Sequence, residues 1–369
     1  MSAKYEFWLT DDAGRRMLLL KDFAFSSYSR STRGLGTILF GLPLKVYLSY
    51  VPTIFQPDWR IDVWRSAANG VPKRRESSYL LRKYRVYDRE EDSMRMIEFF
   101  GRSPLDILRR GAVSNTVAAQ YKKTDYIDDM MKAIVTDVFI TGGQCVPAGE
   151  FSVEGDLSLG PSITQEFKGK NVRDVLTDLK ATSFSLNHAD STKRRIFFDV
   201  VEGLGLDNGF GYTFRTYADL RGIDRTNGTV FSPENGNLID TEYFENYLDE
   251  ITVAEVGVTT VTSPDALLSR WNSIKEYRAA STPDVSIDTS TANQMLSEDG
   301  KKISIGAYFV NSPGSSDQPR SLYGIDWDLG DLLPVQYAGK NLQAEVEIVW
   351  VSVNDMGVEN IVGSNRVGE

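Results

Sequence analysis

The chain has 369 residues, 41% hydrophobic and 25% charged, with a formal net charge of −10. That is ordinary for globular protein of two or three domains and argues against a nucleic-acid binder, which needs clustered Lys and Arg. A single cysteine, Cys145, and a single histidine, His188, exclude an intrachain disulfide, a Cys-based zinc site and a histidine-pair metal centre.

The opening MSAKYEFWLTDD lacks the apolar core of a signal peptide. Tyr5–Leu9 and Arg16–Leu20 read as strands around an Asp- and Gly-rich turn. Gly36–Phe55 is the most apolar window. Pro43, Pro52, Gly41 and Lys45 mark it as β-rich or irregular rather than a membrane span. Its apolar residues suit either core strands or a flap buried on a neighbouring subunit. Trp59–Arg65, Ser78–Asp88 and Met94–Phe100 continue the strand pattern, as expected of a barrel or sandwich.

The period then changes. Ser103-Pro104-Leu105-Asp106 is a helix start, soon stopped by Arg109, Arg110 and Gly111. Asp125–Phe139 carries Ile127, Met130, Met131, Ile134, Val135 and Val138 on one helical stripe, capped by Thr124. A helix over Asn171–Lys180 is followed by an expected hairpin, Thr182–Leu186 with Arg194–Val201, which places His188 in a polar surface turn. Phe210–Tyr217 alternates as a strand. Beyond Arg221 strands dominate, with one short helix expected around Asp265–Tyr277 and loops over 281–302 and 311–321. Gln343–Asn354 reads as one strand, with Ala344, Val346, Ile348 and Trp350 on one face and Glu345, Glu347, Val349 and Val351 on the other.

The chemical motifs are weak. Asp326-Trp327-Asp328-Leu329-Gly330-Asp331 has the acid density of half a calcium loop, but Gly precedes the third acid and no Glu follows before Glu345. Asp and Gly are also what a tight turn into a strand requires, and that is our reading, with weak metal binding at Asp326, Asp328 and Asp331 left open. Gly203-x-Gly205-x-x-x-Gly209 has the wrong spacing for a dinucleotide loop, and a strand follows it. Carboxylate pairs suited to a glycosidase exist by chance among 51 acids. The basic triplets Lys73-Arg74-Arg75 and Lys193-Arg194-Arg195 read as solvated turns.

Taken in order, these pieces resemble the tail-hub family of long-tailed bacteriophages, the minor tail or baseplate hub proteins of siphophages. The resemblance spans nearly the whole chain. It rests on FWLTDDAGRRMLLL within Tyr5–Leu20, RIDVWR at Arg60–Arg65, GIDRTNGTVFSPENGN at Gly222–Asn237, Ser273-Ile274 with Tyr277-Arg278, and the Asp-Trp-Asp-Leu-Gly-Asp stretch within Tyr323–Val335. Ala279 and Ala280 depart from the Gly-Arg-x-Glu continuation of that family.

The resemblance implies an α+β, mostly β chain with two tail-tube-like β-barrels and a lateral α/β domain between them. The implied division is 1–112 for the first barrel, 113–220 for the lateral domain, 221–262 with 303–369 for the second barrel, and 263–302 for a helix-loop insertion. It implies a structural, non-enzymatic hub without cofactors, whose homotrimeric ring joins a six-fold tube to a three-fold tip. Its implied partners are the tail tube or distal tail protein, a tip or fibre protein and the tape-measure protein, with DNA only in transit. Its place would be the virion tail, assembled in the host cytoplasm. Phe40, Leu42, Tyr47, Tyr50 and Phe55 are the expected subunit interface. Glu345 and Glu347 are the expected acids of a DNA-repelling lumen. The rival readings are a receptor- or carbohydrate-binding tail module and a tail-tip glycoside hydrolase.

Overall fold

The computed structural model describes residues 4–11, 14–50, 56, 58–66, 73–88, 94–113, 121–143, 146, 150–167, 169–189, 192–202, 211–246, 250–263, 274–279, 285–298, 302–316 and 318–365. The first part contains β1 (Lys4–Thr10), β2 (Arg16–Leu20), β3 (Phe25–Ser31), β4 (Thr37–Pro43), α1 (Leu44–Tyr50), β5 (Arg60–Ser66), β6 (Arg74–Asp88) and β7 (Arg95–Arg102). The apolar window is thus a strand followed by a short helix. Pro43 ends the strand, and its restricted φ suits entry to a helix. Ser103-Pro104 does open a helix, a 3₁₀ turn over Pro104–Arg109. The Ser103 hydroxyl makes no cap bond and instead accepts the Gly36 N–H at 3.1 Å.

The middle part has β8 (Tyr121–Tyr126), α2 (Ile127–Val135), a π-turn over Thr136–Thr141, β9 (Phe151–Val153), β10 (Ser162–Phe167), α3 (Val172–Ala189), β11 (Ile196–Glu202) and β12 (Tyr212–Ala218). The whole α2 stripe from Ile127 to Val138 is buried, as its spacing requires. Tyr126, not Thr124, stands at the cap position. The expected Thr182–Leu186 strand is instead the second half of α3, and β11 pairs with β12. Ser183 explains the difference. Its buried hydroxyl donates to the Lys180 carbonyl and accepts the Ile196 N–H, so a polar residue faces inward on a helix.

The last part has β13 (Leu238–Asn246), β14 (Val253–Val256), β15 (Thr259–Thr262), β16 (Lys275–Arg278), α4 (Val285–Glu298), β17 (Lys302–Val310), β18 (Leu332–Tyr337), β19 (Lys340–Glu345), β20 (Ile348–Asn354) and β21 (Glu359–Ser364). Two expectations change here. Lys275–Arg278 is extended rather than helical, and the 281–302 loop contains α4. Ala292, Met295 and Leu296 bury one stripe of that polar helix against Ile251, Ala254 and Val256.

Eleven strands form one sheet in the order β13-β17-β21-β20-β3-β4-β7-β6-β5-β1-β2. The two ends of the chain meet at β3 and β20, paired antiparallel from Phe25↔Asn354 to Ser31↔Ile348. Both β parts also share one core, in which Phe7, Phe40 and Phe99 join the same cluster as Phe309, Trp327 and Val349. Each large side chain buried there contributes about 2 to 3 kcal/mol. A second core lies between the middle part and the 3₁₀ turn. Among the described residues no helix is long and apolar enough to cross a membrane.

Candidate functional site

The 323–331 turn sits where the two β parts meet. Trp327 is fully buried, with its ring 5.1 Å from Tyr323 and its indole N–H donating to the Ser321 carbonyl at 3.1 Å. Gly363 on β21 passes so close that a Cβ there would lie 2.5 Å from the Trp327 ring. Gly330 completes the turn at φ +86°, a conformation that favours glycine.

The three aspartates of this turn point to different partners. Asp326 accepts both Arg320 Nε at 3.0 Å and Arg320 Nη2 at 2.8 Å, together with the Leu322 N–H. Asp328 accepts Arg30 Nη1 at 2.9 Å and Arg74 Nη2 at 2.7 Å. Asp331 accepts Arg225, the Ile223 N–H at 2.7 Å and the Asp328 N–H at 2.8 Å. Despite its burial, Asp328 is held down to about 2 by Arg30 and Arg74. A carboxylate so tightly held ionised is unsuited to general-acid work, which requires a raised pKa. The chemistry is that of a fastener: guanidinium forks and backbone amides close a turn and pin it to β3, β6 and the 221–225 segment.

A second fastener lies alongside. Arg65 on β5 grips Glu359 on β21 through two bonds of 3.0 Å, while its Nη1 donates to the Tyr323 carbonyl at 3.3 Å. Tyr5 donates to the same Glu359. Burial and the neighbouring Glu76 push the Tyr5 phenol well above its ordinary range. Arg30 also donates to the buried Tyr323 hydroxyl and lies 3.9 Å from the buried Glu76 carboxylate. Sequence reading missed this network because its partners are hundreds of residues apart.

Three of the five expected interface residues turn inward. Phe40, Leu42 and Tyr47 are buried in the protomer's own core, so these side chains are not an open face for a neighbour. Phe40 packs 5.1 Å from Phe7, and Tyr47 5.4 Å from Phe99. The side chain of Tyr50 and all of Phe55 lie outside the described residues, as do Cys145, the 203–210 segment and the side chain of His188.

Glu345 and Glu347 also differ from expectation. The single strand expected over Gln343–Asn354 is broken at Val346–Glu347, where the backbone changes partners. Val346 N–H donates to Asp331 O at 2.9 Å, and Glu347 N–H to Ser364 O at 2.9 Å. Parity flips at the break, so Ala344 and Val346 are buried before it and Val349, Val351 and Val353 after it. Glu347 is buried in an ion pair with Arg33, and Glu345 is half-buried near Lys180 and Arg195. Neither stands on an open acidic strand face. Burial, reinforced by Glu345, lifts Glu347 to about 7 against the opposing pull of Arg33.

No family model and no curated protein sequence matches the chain. Solved structures do. The 43 kDa tail protein of prophage MuSo2 from Shewanella oneidensis matches 98% of this chain and 96% of its own at 12% identity, with a TM-score of 0.58. A tail protein from Neisseria meningitidis covers 99% and 96% at 9% identity and a TM-score of 0.54. Prophage tail protein gp18 from Listeria monocytogenes covers 99% and 95% at 9% identity and a TM-score of 0.52. The chain shares the fold of these tail proteins over almost its entire length.

Proposed function

We propose that this chain is a structural hub of a bacteriophage tail, built into the virion and working by assembly rather than catalysis. The observation that carries this is the near-complete, two-way coverage by tail proteins, two of them from prophages. In this reading 1–112 and 221–262 with 303–369 are two tube-like β units, 113–220 is lateral decoration and 263–302 an insertion. Three copies would supply six such units to a ring, matching a six-fold tube above and a three-fold tip below. The tail tube or distal tail protein, the tip or fibre protein and the tape measure are its partners, and DNA passes without specific binding. Assembly takes place in the host cytoplasm.

Physical support comes from the sheet ends. Among the described residues β2 and β13 are terminal in the strand order, and in this reading their outer edges face a neighbouring copy. Their exposed apolar residues, Met17 on β2 and Ile239 and Phe244 on β13, favour such cover. These edges replace Phe40, Leu42 and Tyr47 as the proposed contact between subunits.

Light scattering on the full chain, alone and with its distal tail protein, tests the proposal. The expected species has three times the 41.3 kDa protomer mass and appears as a ring in negative-stain images. A persistent monomer under both conditions that binds glycans favours a receptor-binding module. Release of reducing sugars from purified cell wall would establish a hydrolase instead.

A further inference from the structure

One face of α3 is separate from its core-facing stripe. Arg173, Thr177, Lys180, Ala181, Phe184 and Ser185 recur at helical spacing and line a cavity of about 390 Å³. Its opposite wall is the Thr32–Arg33 turn after β3, Leu105 of the 3₁₀ turn and Phe198 of β11. From Arg173 to Ser185 the groove follows α3 for about 18 Å. Its floor is aromatic, and its rim is cationic.

Three observations say what it would hold. First, neither Arg173 nor Lys180 has an ion-pair partner among the described residues, although both line the groove. Arg33 spends its charge on Glu347, and Asp106, the acid that acts most on Arg173, is taken by Arg102 at 3.2 Å. Second, Leu105, Phe184 and Phe198 give the lining apolar surface beside these charges. Third, Lys180 lies over Phe197 at 4.7 Å and Phe184 at 5.6 Å, and Arg195 over Phe184 at 5.5 Å. Arg33, Arg102, Arg109, Arg173, Lys180 and Arg195 thus gather around this spot on a chain of net charge −10, against Asp106, Asp174, Glu345 and Glu347. Burial depresses both free cations, helped by Arg109 beside Arg173 and Arg33 beside Lys180, so an incoming anion would relieve repulsion.

We propose that this groove receives an extended acidic segment of a partner protein, with two carboxylates flanking an apolar residue. The spacing favours a peptide over a compact anion. Arg173 and Lys180 are seven residues apart on the helix, about 10 Å. On an extended chain the first, third and fifth side chains share one face, with the outer two about 13 Å apart, and the long Arg, Lys and Glu side chains take up the difference of about 3 Å. The two carboxylates meet the two cations, and the apolar side chain lies on the apolar lining between them. The inference rests on the groove itself and is independent of the ring.

A fluorescein-labelled peptide carrying Glu-Ala-Leu-Ala-Glu between Gly-Ser flanks, and its Lys-Ala-Leu-Ala-Lys counterpart, test it by anisotropy on the full chain. The acidic peptide is expected to bind, to weaken with added salt, and to lose about tenfold or more in affinity on combining Arg173→Gln with Lys180→Gln. Ala181→Trp, at an exposed helical position where the fold should tolerate bulk, is expected to block binding while leaving the circular dichroism spectrum unchanged. Equal binding of the basic peptide, no binding of either, or unchanged affinity in both variants overturns the proposal. Displacement of the peptide by an equal concentration of free glutarate also overturns it, since that would make the cavity a small-dianion pocket.

Discussion

Arg65 and Glu359 form a two-pronged ion pair across 294 residues of sequence, both bonds 3.0 Å and both side chains largely shielded. β5 and β21 are not neighbours in the sheet order, so the pair ties strands that backbone bonding does not. Removing one partner leaves a shielded charge, which costs about 3 to 5 kcal/mol when burial is complete. Arg65→Met is therefore expected to lower unfolding free energy by about 3 kcal/mol in urea titrations. The double variant with Glu359→Met should recover part of that loss. Arg65→Lys should not rescue, because an ammonium lacks the fork that engages both oxygens. A loss under 1 kcal/mol in Arg65→Met would reduce the pair to decoration.

Asp328 and Asp326 provide an internal comparison within one turn. Asp328 serves Arg30 and Arg74, and Arg30 is mostly buried. Asp326 serves Arg320, whose side chain is about half exposed. Asp328→Asn should cost about 2 to 4 kcal/mol, and Asp326→Asn under about 1 kcal/mol from its ion pair. The Asp328 carboxyl is held below its unfolded value of 3.8, down to about 2. The native state therefore binds its proton less readily, and the stabilisation is present above about pH 4 and lost as pH falls toward 2. Acid titration of Asp328→Asn should show a shallower loss over that window than the parent chain.

Much of this architecture is legible in the residues, but unevenly. Apolar stripes such as Ile127 to Val138 are legible because their period is the burial pattern itself. The Asp326–Asp331 turn is legible as a turn because Gly330 and closely spaced acids are turn chemistry. β3 is not. Its sequence FSSYSRS offers little apolar alternation, yet Ser26, Tyr28 and Ser29 are buried and the strand splices the two β parts together. A serine facing a core carries no hydrophobic signal. α4 is hidden for the same reason, since among its described side chains the apolar ones packed inward are Ala292, Met295 and Leu296. The partners of Asp328 and Asp331 are beyond reach, because Arg30 stands 298 residues from Asp328 and Arg225 106 from Asp331, and only the fold selects them.

Glu347 should give stability an opposite pH slope. Its carboxyl rises from 4.5 to about 7, so between those values the native state binds more protons than the unfolded chain. Stability linked to this group is fully present below about pH 4.5 and falls as pH rises through 7. Arg33, Glu345 and Lys180 are the charges that act on it. Glu347→Gln removes the titration and keeps the shape. The stability of the parent relative to this variant is expected to drop by on the order of 1 to 2 kcal/mol from pH 5 to pH 8, after allowance for solvent screening. A difference that stays flat with pH would mean that the Arg33 ion pair fully offsets burial.

The middle part can be loosened without disturbing the large sheet, because it has its own core and its own polar latch. Asp129 is buried on α2 and accepts the Leu157 N–H at 3.0 Å, the Ser158 N–H at 3.2 Å and the Ser158 hydroxyl at 3.2 Å. Its neighbour Asp128 accepts the Leu159 N–H at 2.6 Å, and Lys132 spans Asp128 and the Gly155 carbonyl. These bonds hold a segment in which Ser158 takes a positive φ of 53°, a conformation with some cost for a residue bearing a Cβ. Asp129→Ala removes three acceptor contacts and leaves two amides without the partner that favours this conformation. Amide exchange at Leu157 and Ser158 should then rise by about tenfold or more, while amides of β4 and β7 keep their protection. Equal acceleration in both places would mean that the middle part and the sheet open as one cooperative unit, and the latch would then belong to the whole molecule.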